Sequence, residues 1–490
     1  MKNKHSEKRK TNRREFLFSV STGIAVSGIL ARGNSVVSAA PPLAAVLVRQ
    51  NVADLNPNGP EINALRAGVA AMKALPANDF KNWQRQAQIH QDFCPHRNWF
   101  FLPWHRAYLY YFEQICRQAS GNPDFSLPYW DWTTAPRVPA AFWGSDNTLM
   151  DTTRAIGPND EADSESVGQP VIDDITGTRD FLTFASGVAT QQQQPSRTGV
   201  LEGIPHNYIH GSFVLGNMET FMSPLDPIFW LHHANVDRLW TVWDQRNPGR
   251  TTNDTRWLNF ELGTFFNLQG AQVTRKVSEL LSTYRLGYRY PNQPETPVNP
   301  RALLAVVENA PVAALIEREV GKTATTRQPA SAKLGAIPQA LTTNIKRITP
   351  RTFNIIPNRS TLPMLRLTIN VDVPKNTRTS VRVFLNAPAT SVNTPIDDPS
   401  YVGTLFFFEG QSGGQTGATS HDGMTMNDGA SRQFMLDVSD TIQRLVNNQR
   451  LSSLNDIEIS FLPVIGGSRS TADTGEAEIK INSFKLESVP

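Results

Sequence analysis

Seven of the nine histidines in this 490-residue chain fall in two short clusters: His90, His96 and His105, then His206, His210, His232 and His233. Neutral imidazole is the commonest side-chain ligand for copper, zinc, iron and nickel, so histidines gathered this way point to metal. A fold that uses both clusters must bring together elements separated by a long stretch of chain. The remaining two stand apart, His5 in a basic N-terminal segment and His421 in a Gly/Ser/Thr-rich stretch.

Spacing decides which of the seven can converge. His206 and His210 are one turn apart and share a helix face. His96 and His105 would lie on opposite faces of a continuous helix at about 100° per residue. Pro103 removes that conflict by starting a new helix at Phe101–Pro103, with His105 in its first turn and His96 in the loop before it. Asp226-Pro227 is a second helix-start signal, a cap followed by proline. His232 and His233 then point about 100° apart, so only one faces a given metal and spacing does not choose between them. The expected sum is three plus three.

Two triads of imidazoles, without thiolate or carboxylate, do not fit structural zinc. A zinc-protease reading of His206-Asn207-Tyr208-Ile209-His210 fails because the general-base Glu expected after the first His is Asn207. Three nitrogen ligands with open positions suit copper that binds a small molecule.

The charge balance separates the N-terminus from the rest. Residues 1–39 carry a net +6 and the remainder a net −3, which gives no electrostatic footprint for nucleic acid. Lys8-Arg9-Lys10 leads into Asn12-Arg13-Arg14-Glu15-Phe16-Leu17, an interrupted apolar stretch to Leu30, and a small-residue site at Val37-Ser38-Ala39. This order predicts a twin-arginine signal over 1–39 and a periplasmic or extracellular mature protein. The apolar run is too short for stable membrane insertion. Two cysteines allow at most one disulfide.

Residues 55–245 read as mostly helical with long loops; Ile62, Leu65, Val69 and Met72 recur at helical spacing between Pro60 and Pro76. Residues 292–345, rich in Pro, Asn, Thr and Ala with an apolar helical patch at Leu303–Ile316, read as a linker. Beyond it the period becomes two, as in Leu365, Leu367, Ile369, Val371 and Val373, which predicts an all-β sandwich over 346–490. The expected division is signal 1–39, helical catalytic domain 40–291, linker 292–345 and β domain 346–490.

The segment from His90 through Cys94, His96, Pro103 and His105 to Arg106 resembles the first copper motif of tyrosinases and polyphenol oxidases. Glu202-Gly-Ile-Pro-His206-Asn207-Tyr-Ile-His210, with Asp226-Pro-Ile-Phe-Trp-Leu-His232-His233-Ala-Asn235-Val-Asp237-Arg238, resembles the second. Trp257-Leu258 and Tyr288-Arg289-Tyr290 are similar to the middle region of the plant-type enzymes. Val381-Arg-Val-Phe384 and Tyr401-Val-Gly403 resemble their C-terminal domain more weakly. One departure is the gap between His90 and His96, shorter than in many relatives.

The resemblance implies a mainly α copper domain, a four-helix bundle with long loops, followed by the β sandwich. It implies two copper ions, the first held by His90, His96 and His105 and the second by His206, His210 and His233, with His232 a packed neighbour. Cys94 would form a thioether to His96, and Cys116 would be buried and inert. Glu202 and Asn207 would hold a water that takes the phenol proton, and Phe221 would gate the second copper. Asn235 and Asp237 would orient imidazoles, although Asp237-Arg238 reads equally as an ion pair. The expected activity is oxidation of monophenols and o-diphenols to o-quinones by O2. The alternatives are a catechol oxidase without monophenolase activity and a haemocyanin-like oxygen carrier. The plant-type arrangement further implies latency, with the loop after Phe406-Phe407-Phe408 covering the site.

Overall fold

The computed structural model describes residues 46–189, 195–297, 299–305, 312–335, 364–376, 378–387, 389–408, 431–466 and 476–490. The expected export signal and His421 lie outside these residues. Four helical segments carry six of the seven clustered histidines, and a further helix packs beside them. Helix α1, Pro60–Ala74, starts on its proline and buries Ile62, Leu65, Val69 and Met72, the stripe read from spacing. Helix α2, Trp83–Phe93, is capped by the Asn82 side chain, which accepts from the N–H groups of Gln84 and Arg85, and carries His90. Helix α3, Phe101–Ser120, holds His105 and ends at Gly121 with φ +68°. It packs closely on α1, where a Cβ on Gly68 would stand 2.4 Å from Cys116 Sγ.

The segment 200–214 winds as one helical stretch with wide π-type turns at Glu202–His206 and Ile209–Val214. Such widening is frequent at functional sites. Helix α4, Ile228–Arg246, follows Asp226, whose carboxylate accepts from the Ile228 N–H at 3.0 Å and pairs with buried Arg154. The Phe112 and Trp230 rings stack 3.5 Å apart and join α3 to α4.

Asp237 ties these helices together from within. Its Oδ1 accepts from Arg106 Nε at 2.6 Å, and its Oδ2 accepts from the Tyr288 and Tyr290 hydroxyls, each at 2.7 Å. Arg49 Nη1 lies 3.5 Å away and is itself bonded to Glu113. Burial opposes the charge on Asp237, but Arg106 and Arg49 outweigh it and hold the carboxyl below its ordinary range. The stability it contributes is therefore present above the ordinary carboxylate range and is lost as pH falls through the depressed value. Asp237→Asn, which strands two buried arginines, is expected to cost about 3–5 kcal/mol in denaturant unfolding.

The C-terminal region is β-rich. Strands β2 (Ala313–Thr325), β3 (Ala330–Lys333), β4 (Met364–Asp372), β5 (Thr379–Leu385), β6 (Tyr401–Leu405), β7 (Ser431–Asp437), β8 (Glu458–Ile465) and β9 (Glu478–Val489) form two sheets. One has the order β6-β5-β8-β3; the other runs β1-β7-β4-β9-β2, where β1 is Arg197–Thr198 from the helical part. β1 pairs in parallel with β7, Gln433 opposite Arg197 and Phe434 opposite Thr198. A two-residue strand has no period, so nothing in the sequence announced it.

Two expectations are corrected here. The stretch read as a linker contains β2 and β3, and Ala313–Ile316 is strand rather than helix. Both strands sit at sheet edges, and β2 exposes Glu317, Arg318 and Glu319, so their composition is polar and their alternation faint. The region expected to be all β also contains helix α5, Ser439–Asn447, which buries Thr441, Ile442 and Leu445.

Residues 45–490 make one compact unit. Two buried arginines of the sheets reach the helical part: Arg366 pairs with Asp180 at 3.2 Å and Arg382 with Glu165 at 2.5 Å. Among the described residues no helix is long and apolar enough to cross a membrane.

Candidate metal centre

Helix α2, the loop before α3, and α3 itself bring His90, His96 and His105 into one buried group; segment 200–214 and α4 do the same for His206, His210, His232 and His233. The rings of His105 and His233 stack 4.3 Å apart, so the two groups face each other. Arg106 follows His105 and Asp237 lies one turn beyond His233, so their ion pair sets the spacing of the two helices.

Hydrogen bonds fix the ring tautomers. His90 Nδ1 donates to Phe221 O at 2.7 Å, His105 Nδ1 to Phe101 O at 2.8 Å, and His210 Nδ1 to Met218 O at 2.6 Å. Each of these rings therefore presents a lone pair at Nε2. The Nε2 atoms of His90 and His105 stand 3.3 Å apart, and those of His210 and His233 stand 3.2 Å apart. The two lone pairs of His90 and His105 repel at that distance unless a cation lies between them. Burial also drives these imidazoles to their neutral form, His105 down to about 3 and His210 to about 4. The buried Nε2 atoms of His96 and His206 have no protein partner among the described residues. The donor set fits soft or borderline metal with nitrogen preference.

His232 is fully buried, and neither of its ring nitrogens has a protein partner among the described residues. It lies against Trp132 at 4.9 Å and His210 at 4.8 Å between ring centroids. His233 brings its Nε2 to 3.2 Å from that of His210 and stacks on His105 of the other triad.

Glu202 is buried, and its Oε1 accepts from the Arg97 N–H at 2.7 Å and its Oε2 from the Ser186 hydroxyl at 2.6 Å. Burial pushes its carboxyl up to about 7, against the pull of those two donors. Arg97 adopts φ +61°, a left-handed conformation uncommon outside glycine, at the residue whose N–H reaches Glu202. Asn207 accepts from His206 Nδ1 at 2.9 Å and donates to Phe406 O at 2.8 Å. Cys94 Sγ lies 3.4 Å from His96 Nδ1, and no disulfide joins it to Cys116. The buried Cys116 thiol is pushed far up by burial.

Among the described residues neither Asp237 nor Asn235 bonds to an imidazole. Asp237 serves the arginine and tyrosine network, and Arg238 turns to Asn235 at 2.7 Å and Asp131 at 3.3 Å. Backbone carbonyls, which carry no residue signature, orient three of the imidazoles instead. Phe221 is half-buried and contributes one of those carbonyls; its ring lies 5.7 Å from that of His96.

The unforeseen member of the site is Phe408. Its ring centroid lies 4.7 Å from His210, 5.3 Å from His96, 5.9 Å from His206 and 5.5 Å from Phe221. It touches imidazoles of both triads. The loop after Phe408, expected to make this contact, lies outside the described residues. The run of three phenylalanines at a strand end was the available signal.

Two facing triads of buried neutral imidazoles define a dinuclear type-3 copper protein. The chain matches the common central domain of tyrosinase over residues 69–174 and 157–246. It is 26% identical to tyrosinase HcTyr1 of Hahella sp. (strain CCB-MM4), covering 90% of this chain and 99% of that one. It is 29% identical to a chloroplastic polyphenol oxidase of Malus domestica over 45% of this chain and 44% of that one. The chain spans about half the length of the plant polyphenol oxidases it matches. Its fold is similar to that of latent apple tyrosinase, with a TM-score of 0.65 at 19% identity, over 92% of this chain and 98% of that one. The chain is a type-3 copper oxidoreductase similar to the tyrosinases and polyphenol oxidases.

Proposed function

We propose that this protein oxidises monophenols and o-diphenols to o-quinones with O2, and that its β-rich region keeps it latent. The observation that carries the reading is Phe408, an aromatic ring seated between imidazoles of both triads where a phenol ring would bind. We assign His90, His96 and His105 to the first copper, and His206, His210 and His233 to the second. The copper pair supplies the binding and activation of O2. We also include a thioether between Cys94 and His96, which the 3.4 Å approach supports.

The residues of the chain handle the ring and the proton. His206 and His210 provide faces on which a phenol stacks, and Phe221 closes the side toward His96. A monophenol must lose its hydroxyl proton, and with a pKa near 10 it needs a base. Glu202, poised at about 7, is matched to that task near neutral pH. Asn207 keeps the His206 ring oriented through its Oδ1 and gives its amide N–H to Phe406 O. Export by the twin-arginine route is part of the same reading, since it carries proteins already folded.

Oxygen uptake on copper-quantified protein tests the proposal. Glu202→Gln is expected to lower monophenol turnover by on the order of 10²–10⁴ while leaving o-diphenol turnover nearly intact. Monophenol activity of the parent should rise with pH through about 7, as Glu202 ionises, and the variant should lose that rise. Equal losses on both substrates would make Glu202 structural. O2 binding without catechol turnover would make the protein an oxygen carrier.

A further inference from the structure

The ring that fills the pocket does not arrive alone; it arrives on a main chain. The Phe406 N–H donates to Gly203 O at 2.9 Å, and Phe406 O accepts from Asn207 Nδ2 at 2.8 Å. Two residues before the ring, the main chain thus gives one bond to a backbone carbonyl and receives one from a side-chain amide, both on segment 200–214. The Phe407 carbonyl lies against Gly211, where a Cβ would stand 2.6 Å from that oxygen. Side chains alternate as in extended backbone. Phe406 packs on Tyr208 at 5.1 Å and Phe408 on the imidazoles, both toward segment 200–214, while Phe407 turns to Phe434 at 5.3 Å in the sheet. The wall beside the metals thus recognises three things: an extended main chain, an aromatic side chain, and a second aromatic ring two residues on, at the copper site.

We propose that this groove, once vacated, accepts a tyrosyl side chain carried on an extended peptide with an aromatic residue two positions earlier, and oxidises it to the peptidyl o-quinone. The inference rests on the phenol-oxidising reading above. The tyrosyl ring exchanges an ortho C–H for C–O and gives up its hydroxyl proton. One oxygen of O2 enters the ring, the other leaves as water, and the four electrons that reduce O2 come from the ring. Asn207 holds the substrate carbonyl as it now holds that of Phe406, and Gly211 leaves room for the next one. A side chain larger than hydrogen at 211 would close the groove to peptides while leaving space for a free phenol at the imidazoles.

The test uses the full-length, copper-loaded protein carrying Phe408→Tyr, which places a tyrosyl ring in the groove without removing any of the chain. After exposure to O2 and mild reduction, peptide mass analysis is expected to find one added oxygen at position 408. The gain should be absent from copper-free protein and from protein kept anaerobic. A second arm takes parent protein cut between residues 306 and 311, frees the helical fragment from the β-rich one by mild denaturant and gel filtration, loads it with copper, and offers it Phe-x-Tyr and Ala-x-Tyr peptides. The first is expected to react about tenfold faster, because it keeps the contact with Tyr208. An unaltered mass at 408, or equal rates on the two peptides, overturns the inference if the cut protein still oxidises a small catechol. If it oxidises no catechol, the underlying phenol-oxidase reading is what has failed.

Discussion

Cutting the full-length, copper-loaded protein between residues 306 and 311 and displacing its β-rich region is expected to raise catechol turnover per copper by on the order of 10- to 100-fold. The site of the cut follows from the structure. Residues up to 305 are tied to the helical part, since Thr251 donates to Leu303 O at 3.0 Å and Ala305 donates to Thr251 O at 2.8 Å. The sheet strands begin at Ala313. The magnitude follows from what holds the pocket shut: a buried phenylalanine ring contributes roughly 1.5–3 kcal/mol, and each 1.4 kcal/mol is a factor of about ten in the open fraction. Scission alone leaves Arg366–Asp180, Arg382–Glu165 and the β1–β7 pairing in place, so the fragments must be separated, by mild denaturant and gel filtration, before the assay. Phe408→Ala in uncut protein should recover part of the gain, because it removes the ring and leaves the docked main chain. Unchanged activity in separated helical fragment with both coppers retained would sink the shielding role.

The second large effect concerns the adjacent histidine pair. His233→Asn should leave one copper per chain instead of two and abolish turnover, whereas His232→Asn should keep both. His233 approaches His210 to 3.2 Å and stacks on His105 across the two triads, while His232 leans on Trp132. Copper quantification together with circular dichroism separates ligand loss from misfolding. Loss of one copper in His232→Asn with retention in His233→Asn would reverse the assignment. His232→Asn is still expected to change stability, since it replaces a large buried ring.

The local signals in the chain were strong where they depended on neighbours in sequence. Pro103 and Asp226-Pro227 start helices at Phe101 and Ile228, so His105 and the His232-His233 pair sit where the spacing placed them. His206 and His210 share a face even though the helix is widened there, their rings 4.5 Å apart. Leu365, Leu367, Ile369 and Val371 fall in one buried strand, as their period of two requires. The edge strands β2 and β3 escaped because an edge exposes one side to water and its pattern fades.

What the sequence determined by itself, then, is each cluster taken singly: which histidines can turn to a common point, short of choosing between His232 and His233, and that no thiolate or carboxylate joins them. Periodicity, caps and prolines are properties of a few consecutive residues, and they fix directions within one element. Only the tertiary structure decided that the triads face each other, because that depends on Arg106 meeting Asp237 between α3 and α4. It also decided that the carbonyls of Phe101, Met218 and Phe221 orient the rings, since every residue type supplies the same carbonyl and leaves no mark in the sequence. Phe408 reached the metal site for the same reason. Its place is set by the hydrogen bonds of Phe406 to Gly203 and Asn207, contacts between residues some two hundred positions apart that no local pattern encodes.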